Sequence, residues 1–247
     1  MVNVIMHGCN GKMGRVITDL ISVQIVAGID AYTGIANDYP VFKSIKECDV
    51  KADAIIDFAV TAAIDDLLDY AVETKTPVVV CTTGLSAQQL DKVKEASKSV
   101  AVLRSANMSL GINTLMKVLK IATDVLADRG FDIEIVEKHH NQKVDAPSGT
   151  ALALADCINQ ELNNEYDYTY DRSNVREKRK KNEIGISAVR GGTIVGEHEV
   201  IFAGTDEVIE IKHTAYSKAI FAKGAIDAAK FLAGKEAGMY NMADVID

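Results

Sequence analysis

Residues 2–15 have the sequence VNVIMHGCNGKMGR, in which a short apolar run leads into three glycines and then into a helical pattern. The helical pattern continues with apolar residues that share one face at 3.6 residues per turn, namely Val16, Ile17, Leu20 and Ile21. A buried strand that passes through a tight glycine turn into a helix is typical of the first unit of a parallel sheet. The segment therefore predicts an α/β fold with this strand inside it.

The same segment predicts a dinucleotide site once its neighbours are included. Gly8, Gly11 and Gly14 give the spacing G-x-x-G-x-x-G rather than G-x-G-x-x-G, so the glycines alone are equally typical of an ordinary tight turn. A second predicted strand, Gln24 to Ile29, ends at Asp30, where a carboxylate binds the adenosine ribose in such folds. The alternative for Asp30 is a strand-end cap. Taken together, the strand, the glycine turn, the helix and Asp30 favour a nucleotide-binding site.

Asp30 also predicts which nicotinamide cofactor is used. Ala31, Tyr32 and Thr33 follow it, so no adjacent cation is present to neutralise a 2′-phosphate. We therefore expect NADH to be preferred. The alternative is that Asp30 faces solvent and a distant lysine such as Lys43 meets the phosphate, which leaves NADPH possible.

The first half of the chain alternates strands with helices. After the first two strands, further strands are predicted at Ala54 to Phe58, Pro77 to Cys81 and Val100 to Leu103, with helices at Ile64 to Val72 and Gln88 to Ala96. Five parallel strands predict a Rossmann-like doubly wound sheet, in which ligands bind beyond the carboxyl ends of the strands. The predicted cofactor-binding residues are Gly8, Asn10, Gly11, Lys12, Met13, Gly14, Asp30, Phe58, Thr82, Thr83, Gly84, Ala106, Asn107 and Met108. Helix capping is an equally good explanation for Thr82 and Thr83.

A second motif, EKHHNQKVDAPSGT at residues 137–150, has the composition of an active site. It lies between a predicted strand, Phe131 to Val136, and a predicted helix, Ala151 to Leu162. Pro147 suits the first turn of that helix, and the backbone donors of residues 148–150 would attract an anion. Two histidines and a lysine beside it could supply protons and positive charge to a small carboxylate. The alternative is a solvated loop before an ordinary helix.

A metal site in this motif would need His139, His140 and Asp145 as ligands. Adjacent histidines rarely both reach one ion, and the i, i+4 spacing of H-E-x-x-H is absent, so we predict no metal.

Composition limits the remaining possibilities. The chain has 247 residues and a formal net charge of −8, which disfavours nucleic acid or an anionic membrane as a partner. No long apolar run or signal-like segment is present, so we expect a cytoplasmic protein. The four cysteines are scattered and are predicted to be free. The basic run Arg176 to Lys181 is typical of a solvated loop, although it could also draw in a small anion.

The second half of the chain has a different pattern of predicted helices and strands. A long helical pattern, Leu110 to Ala127, is followed after residues 137–150 by strand-like runs at Glu183 to Val189, Glu197 to Ala203 and Val208 to His213. These runs predict an antiparallel or mixed sheet in a smaller α+β domain. We expect a dinucleotide-binding domain at 1–109, joined by a C-terminal helical segment at 217–247, and a substrate-binding and oligomerisation domain at 110–216.

Three blocks of this sequence resemble the 4-hydroxy-tetrahydrodipicolinate (dihydrodipicolinate) reductase family of lysine and diaminopimelate biosynthesis: residues 8–14, residues 137–150, and RGGTIVGEH at residues 190–198. The resemblance implies that a nicotinamide delivers hydride to a cyclic dicarboxylate whose 4-hydroxyl group leaves as water. It also implies a homotetramer built through the sheet of the second domain.

The resemblance further implies roles for individual residues. His139 would be the acid, Lys143 the proton donor or charge stabiliser at the ring nitrogen, and His140 a carboxylate contact. Backbone and side-chain donors of the helix start would hold a carboxylate, at Ser148, Gly149 and Thr150.

The sequence departs from the family pattern at four positions. Ala59 and Thr61 stand where the family commonly has Ser or Thr and then Pro, Cys81 replaces a usual glycine, and Lys218 replaces an expected arginine. Two rival functions remain: a nicotinamide-dependent reductase of another small carboxylate, and a non-catalytic dinucleotide sensor, which would leave His139, His140 and Lys143 without a role. Turnover of the dicarboxylate distinguishes the family's reaction from that of another reductase.

Overall fold

The chain forms two compact units in the computed structural model, which describes residues 1–20 and 22–246. The first unit comprises Met1–Leu110 together with Ala219–Asp247, and the second comprises Gly111–Lys218. Ile21, which the sequence placed in the first helix, and Asp247, which it placed in the C-terminal segment, lie outside the described residues. Among the described residues, no helix is long and apolar enough to cross a bilayer.

The first unit is built on a seven-stranded sheet in which every pairing is parallel. Numbered along the chain, its strands are β1 (Asn3–His7), β2 (Gln24–Ile29), β3 (Val41–Phe42), β4 (Ala54–Asp57), β5 (Val78–Val80), β6 (Ala101–Arg104) and β12 (Gly238–Tyr240). Their order in the sheet is β3, β2, β1, β4, β5, β6, β12. The direction of winding reverses between β1 and β4, so the predicted doubly wound fold is confirmed. The carboxyl ends of these two strands form the edge at which such sheets bind ligands.

Helices cover this sheet and bury its apolar strands. They are α1 (Lys12–Asp19), α2 (Ile64–Thr74), α3 (Ala87–Ser97), α6 (Ala219–Leu232) and α7 (Met242–Ile246). Val4, Ile5 and Met6 of β1 have no solvent exposure, because successive residues of a central strand point to opposite faces that are both covered. The predicted extension of α1 to Leu20 is wrong, since Leu20 has an extended backbone and closes the helix by donating its N–H to the Ile17 carbonyl.

The second unit is built on a five-stranded mixed sheet, as expected. Its elements are α4 (Leu110–Leu126, whose first residue belongs to the other unit), β7 (Asp132–His139), α5 (Gly149–Glu161), β8 (Asp167–Tyr170), β9 (Glu183–Arg190), β10 (Gly196–Ala203) and β11 (Val208–Ala215). The order is β11, β10, β7, β9, β8. β10 is antiparallel to both neighbours, whereas β9 is parallel to β7 and β8. One face packs on α4 and α5 through a common apolar cluster that includes Leu119, Leu154 and Phe202.

A close helix approach in the first unit depends on a glycine. Gly224 of α6 faces the backbone of Met108, and a Cβ atom added at Gly224 would lie 1.6 Å from the Met108 carbonyl oxygen. The surrounding residues of α6 are small and buried, including Ala222, Ala225 and Ala228. The helix can therefore lie against this segment only without a side chain at position 224.

We expect Gly224→Ala to lower the free energy of unfolding by about 2 kcal/mol or more, because the added methyl group meets backbone that cannot move aside cheaply. Urea-induced unfolding measures the change. Gly191→Ala is the matched control, since a Cβ there meets nothing within 4 Å, and it should change the free energy by less than about 0.5 kcal/mol. Equal stability of the two variants would show that α6 is free to shift.

Candidate active site

A cleft of about 410 Å³ opens in the first unit at the carboxyl ends of β1, β2 and β4. Five of the predicted cofactor-binding residues line it: Gly8, Asn10, Gly11, Asp30 and Phe58. It is also lined by residues that the sequence analysis left out of the set, among them His7, Tyr32, Lys43 and Val60. Its position at the reversal of strand order is the one at which doubly wound sheets bind nucleotides.

The glycine turn brings backbone to this cleft at distances that side chains would prevent. Gly8 has a φ of +83°, and a Cβ there would lie 2.7 Å from the Phe58 carbonyl oxygen. A Cβ at Gly14 would lie 2.3 Å from the Gly8 carbonyl oxygen. Gly11 is the N-cap of α1 and supplies no side-chain acceptor, so the first-turn amides of Lys12 and Met13 can meet an anion.

Asp30 is held rigidly at the rim of the cleft. One carboxylate oxygen accepts a hydrogen bond from the Asn10 N–H at 3.0 Å, and the other accepts one from the Tyr32 N–H at 3.0 Å. Each oxygen keeps a further lone pair for a ribose hydroxyl. Lys43, on the segment after β3, lines the same cleft and is exposed.

Six further predicted cofactor residues follow β5 and β6 at the same edge of the sheet but do not line this cleft. The Thr82 hydroxyl is buried and donates to Asp57 at 2.7 Å and to the Ala59 carbonyl at 3.2 Å, so its side chain has a structural use. The remaining residues are Thr83, Gly84 and Ala106, which are exposed, Asn107, whose side chain accepts from the Ser109 N–H, and Met108, which is buried.

A buried polar pair beneath the cleft was missed by the sequence analysis. His7 donates from Nδ1 to the Asp57 carboxylate over 2.8 Å, and both residues are almost completely buried. Asp57 also accepts from the Thr82 hydroxyl and from the Ala59 N–H. His7 and Asp57 are the last residues of β1 and β4, which the structure shows to be neighbouring strands.

Three of the four departures from the family pattern lie on the segments that follow β4 and β5. Ala59 contributes only its backbone, as a donor to Asp57 and an acceptor for Thr82. Cys81 is partly buried, and burial together with the Asp57 carboxylate raises the pKa of its thiol well above the usual value. Thr61 begins a short 3₁₀ turn, and its carbonyl accepts from the Gln89 side chain at 2.8 Å.

The second unit holds a polar cluster around a carboxylate that is completely buried. Glu137 of β7 accepts a two-pronged hydrogen bond from Arg190 of β9, with both nitrogen-to-oxygen distances 2.7 Å. It also accepts from the Ser148 N–H at 2.9 Å and pairs with the Nδ1 atom of His139 at 2.6 Å. Burial alone would raise the pKa of Glu137, but the hydrogen bonds from Arg190, His139 and Ser148 outweigh it and lower the pKa.

His139 and His198 lie edge to face within this cluster. Their ring centroids are 5.1 Å apart, and the Nε2 atom of His198 is 2.9 Å from the Ser148 hydroxyl oxygen. Burial, reinforced by the neighbouring His139, lowers the pKa of His198 to about 4. His198 was not among the predicted site residues, although the sequence analysis quoted it in the third block.

Lys143 is paired with Asp145 on the loop before α5. Its ammonium nitrogen lies 2.7 Å and 2.8 Å from the two carboxylate oxygens of Asp145. Hydrogen bonds from Lys143, assisted by the backbone N–H of Gly149, lower the pKa of Asp145. The Asp145 carboxylate therefore pairs with the lysine that was predicted to act at the substrate ring nitrogen, and it also meets the helix start that was predicted to hold a substrate carboxylate.

The start of α5 differs from the expected one. The helix begins at Gly149, and Ser148 is its N-cap, with the Ser148 hydroxyl accepting from the Ala151 N–H at 3.1 Å. Pro147 lies before the N-cap, so its predicted place in the first turn is wrong. The Ser148 N–H donates to the Glu137 carboxylate, so it already has a partner within the protein. Near this helix start, His140 and Thr150 are partly exposed.

The basic run contributes a structural anchor. Arg179 donates to Glu134 and Asp132 at 2.9 Å and to the Ile133 carbonyl at 2.8 Å, which fixes the loop to the end of β7. The other residues from Arg176 to Lys181 are exposed, as predicted for a solvated loop. Among residues 1–20 and 22–246, no three His, Cys, Asp or Glu side chains form a group suited to a metal ion.

Comparison with known proteins gives matches over both units. Residues 2–108 match the family model "Dihydrodipicolinate reductase, N-terminus", and residues 111–246 match "Dihydrodipicolinate reductase, C-terminus". The 4-hydroxy-tetrahydrodipicolinate reductase of Caldanaerobacter subterraneus subsp. tengcongensis is 54% identical, and that of Clostridium novyi is 52% identical. Each of these two alignments covers 100% of this chain and 98% of the relative.

Solved structures share the fold. A dipicolinate-bound dihydrodipicolinate reductase from Paenisporosarcina sp. TG-14 superposes with a TM-score of 0.83 at 21% identity, covering 100% of both chains. An amine dehydrogenase from Mycobacterium smegmatis superposes with a TM-score of 0.63 at 8% identity, covering 98% of this chain and 95% of that chain.

The pKa of His198 predicts a loss of stability in mild acid. Because the folded protein holds this imidazole neutral down to about pH 4, the unfolded chain binds one more proton between roughly pH 6.5 and pH 4. The free energy of unfolding should therefore decrease as pH falls through this window, by about 3 kcal/mol from this group. Urea unfolding of the wild type and His198→Gln measures it, and equal pH slopes for the two proteins would contradict the assignment.

Proposed function

Because the chain belongs to the dihydrodipicolinate reductase family, whose members are nicotinamide-dependent reductases, we propose that it reduces 4-hydroxy-tetrahydrodipicolinate on the diaminopimelate route to lysine. The observation that carries the proposal is the cluster in the second unit, where His139, Lys143 and the start of α5 combine acid groups with anion donors. We place the reaction in the cytoplasm, where nicotinamide cofactors and free thiols are maintained.

The overall reaction consumes one hydride and one proton and releases one water. When bound, the nicotinamide supplies the hydride. The glycine turn and Asp30 support binding of this cofactor by the first unit, since they offer backbone donors for a diphosphate and a carboxylate for a ribose. The protein must then supply positive charge for the substrate carboxylates and a proton donor for the substrate ring and its departing hydroxyl group.

His139 and Lys143 fit the proton-donating roles. The Nδ1 atom of His139 is occupied by Glu137, so its Nε2 atom is the one left to exchange a proton. The side chain of Lys143 is only about one-fifth exposed, and the position of its ammonium group beside the helix start suits a charge that develops on the substrate nitrogen. We assign His139 as the acid and Lys143 as proton donor or charge stabiliser.

The start of α5 fits a substrate carboxylate. We assign this contact to the start of α5 at Gly149 and Thr150, with His140 nearby. Ser148 shapes that start through the hydrogen bonds of its N–H and its hydroxyl group. The internal Asp145 carboxylate must leave Gly149 when a substrate carboxylate binds there, and it must leave Lys143 when that ammonium group meets the substrate nitrogen. The dipicolinate in the Paenisporosarcina structure, a planar dicarboxylate, supports this class of ligand.

One assay tests the proposed function. The purified protein is mixed with NADH and the condensation product of pyruvate and aspartate semialdehyde, and nicotinamide absorbance is followed with time. Oxidation that depends on this product supports the proposal. Oxidation of NADH by other imines or amino-acid aldehydes, but not by this product, would make the protein a reductase of another substrate.

Proton donation by His139 and Lys143 predicts a loss of turnover rather than of cofactor binding. General acid catalysis contributes about 10²- to 10⁴-fold, so we expect His139→Gln and Lys143→Ala to lower kcat by that order. The Kd for NADH, measured by fluorescence, should stay close to the wild-type value. Near-normal turnover in either variant would show that its assigned role is wrong.

The cleft around Asp30 supports a preference for NADH with NADPH possible. The carboxylate can accept both ribose hydroxyls, whereas a 2′-phosphate would meet its negative charge and find only Lys43 as a cation in the cleft lining. We expect kcat/KM to be higher for NADH. Asp30→Ala combined with Ala31→Arg should move the ratio toward NADPH.

Lys43 provides the matched control for cofactor preference. If it meets the phosphate, Lys43→Gln should lower kcat/KM for NADPH at least several-fold more than for NADH. A wild-type preference for NADPH that survives Lys43→Gln would contradict the placement of the ribose at Asp30.

We also propose that the protein acts as a homotetramer built through the second unit. Apolar side chains such as Val189 and Val208 are exposed on the sheet face opposite α4 and α5. Light scattering should give about four times the 26.7 kDa of one chain. Val208→Asp should lower that mass, and a monomeric wild type at micromolar concentration would overturn the proposal.

A further inference from the structure

We propose that Glu137 is a positioning residue for the reaction, which holds the His139 imidazole with its Nδ1 atom protonated and its Nε2 atom as the only site of proton exchange. This inference rests on the proposed function, because it gives a task to the residue that we assign as the acid.

The geometry leaves Glu137 no alternative arrangement. Oε1 accepts from Arg190 Nη2 at 2.7 Å and from the Ser148 N–H at 2.9 Å. Oε2 accepts from Arg190 Nη1 at 2.7 Å and pairs with His139 Nδ1 at 2.6 Å. Two oxygens with two partners each fill the lone pairs of a carboxylate, so the group cannot rotate without breaking several hydrogen bonds.

The charge state of Glu137 determines the state of His139. Arg190 neutralises the buried carboxylate, and the pKa of Glu137 is held below its usual value, so the group stays ionised at neutral pH. An ionised carboxylate can only accept hydrogen bonds. The proton between the two residues therefore belongs to His139 Nδ1, and neutral His139 must be the Nδ1–H tautomer.

The backbone places these groups together without help from loop conformation. Glu137 and His139 are two residues apart on β7, so their side chains share the inner face of the sheet. Arg190 is directly opposite His139 on β9, and Gly196 of β10 packs against the ring, since a Cβ there would lie 3.0 Å from Nε2. A side chain at position 196 would therefore crowd the Nε2 atom.

A purely structural role for Glu137 would be to neutralise Arg190 and cap Ser148. That role predicts lower stability on substitution, but it predicts no change in the tautomer of His139 and no change in the pH dependence of turnover. The charged and titratable groups near His139 that a pH profile must take into account are Glu137, Arg190, His198, His213, Lys143 and Asp145.

The first experiment uses the wild type and needs no activity. Long-range ¹H–¹⁵N NMR spectra of the imidazole nitrogens are recorded above the pH at which His139 titrates, with its signals assigned by their loss in His139→Gln. We expect the Nδ1–H tautomer. The Nε2–H tautomer would overturn the proposal, whether or not the protein reduces the proposed substrate.

The second experiment uses Glu137→Gln, which keeps the shape but removes the charge. We expect a mixture of tautomers, a kcat about 10- to 100-fold lower, little change in the Kd for NADH, and a kcat/KM profile whose alkaline limb moves to lower pH, because the imidazolium has lost its anion. Glu137→Asp should restore part of kcat. Unchanged tautomer and profile in Glu137→Gln would overturn the proposal.

Two further variants separate folding from positioning. Glu134→Gln is the matched control, since Glu134 lies on the same strand and also pairs with an arginine, Arg179, but has no contact with His139. It should leave the pH profile unchanged. If Glu137→Gln does not fold, the double variant Glu137→Gln with Arg190→Gln removes both charges. We expect it to fold and still to lack a fixed tautomer, and a wild-type tautomer in it would overturn the proposal.

Discussion

A carboxylate with no exposure to water must find all its partners inside the protein, and the second unit is arranged around this requirement at Glu137. Burying an ion without a partner costs several kcal/mol of folding free energy. Arg190, His139 and the Ser148 amide are therefore required together, because each is a hydrogen-bond partner of the Glu137 carboxylate. They come from β9, β7 and the start of α5, and each of these elements is fixed relative to the others through the same two oxygens. The loop before α5 is fixed in turn, because Arg190 also donates to the Asp145 carbonyl at 2.7 Å.

The first unit meets a different constraint, which is the distance of closest approach between backbone segments. Gly8 and Gly14 allow the turn after β1 to touch the ends of β4 and α1 at distances that any side chain would prevent. Beneath the turn, His7 and Asp57 are almost completely buried, and Thr82 and Ala59 complete the hydrogen bonds of the Asp57 carboxylate. Both oxygens of this buried carboxylate therefore have partners within the protein.

Much of this arrangement could be predicted from the sequence, because it depends on periodicity and on local turn chemistry. The central strands are apolar runs of three to six residues followed by glycines or helix starts, and the mixed sheet has long alternating strands. The edge strands β3 and β12 were missed because two or three residues carry no measurable alternation. The short strand β8, at the edge of the second sheet, was missed for a related reason, since its tyrosines alternate with polar residues in only four positions.

The candidate site, too, could be predicted only in part from the sequence. His139, Lys143 and the start of α5 could be identified because their residue types are unusual in so short a segment. The partners of these residues could not be identified, because strand register decides them: Arg190 faces His139 and His198 faces Glu137 only after β7 has paired with β9 and β10. The place of Pro147 was predicted wrongly because Ser148 can cap the helix as well as a proline can begin it, and Glu137 decides between them by taking the Ser148 amide.

Asp145 pairs with Lys143 and Gly149, so the proposed anion site at the start of α5 already holds a carboxylate of the chain itself. Anions that enter it exchange with a carboxylate that the chain already provides, so the net gain is the difference between two similar sets of hydrogen bonds. A simple monocarboxylate or an inorganic anion offers these donors little that Asp145 does not offer, and it must also displace a group tethered two residues away. Only a ligand that makes a second contact elsewhere gains from the exchange. The tethered carboxylate thus lowers the net gain from any anion that makes only a single contact with this site.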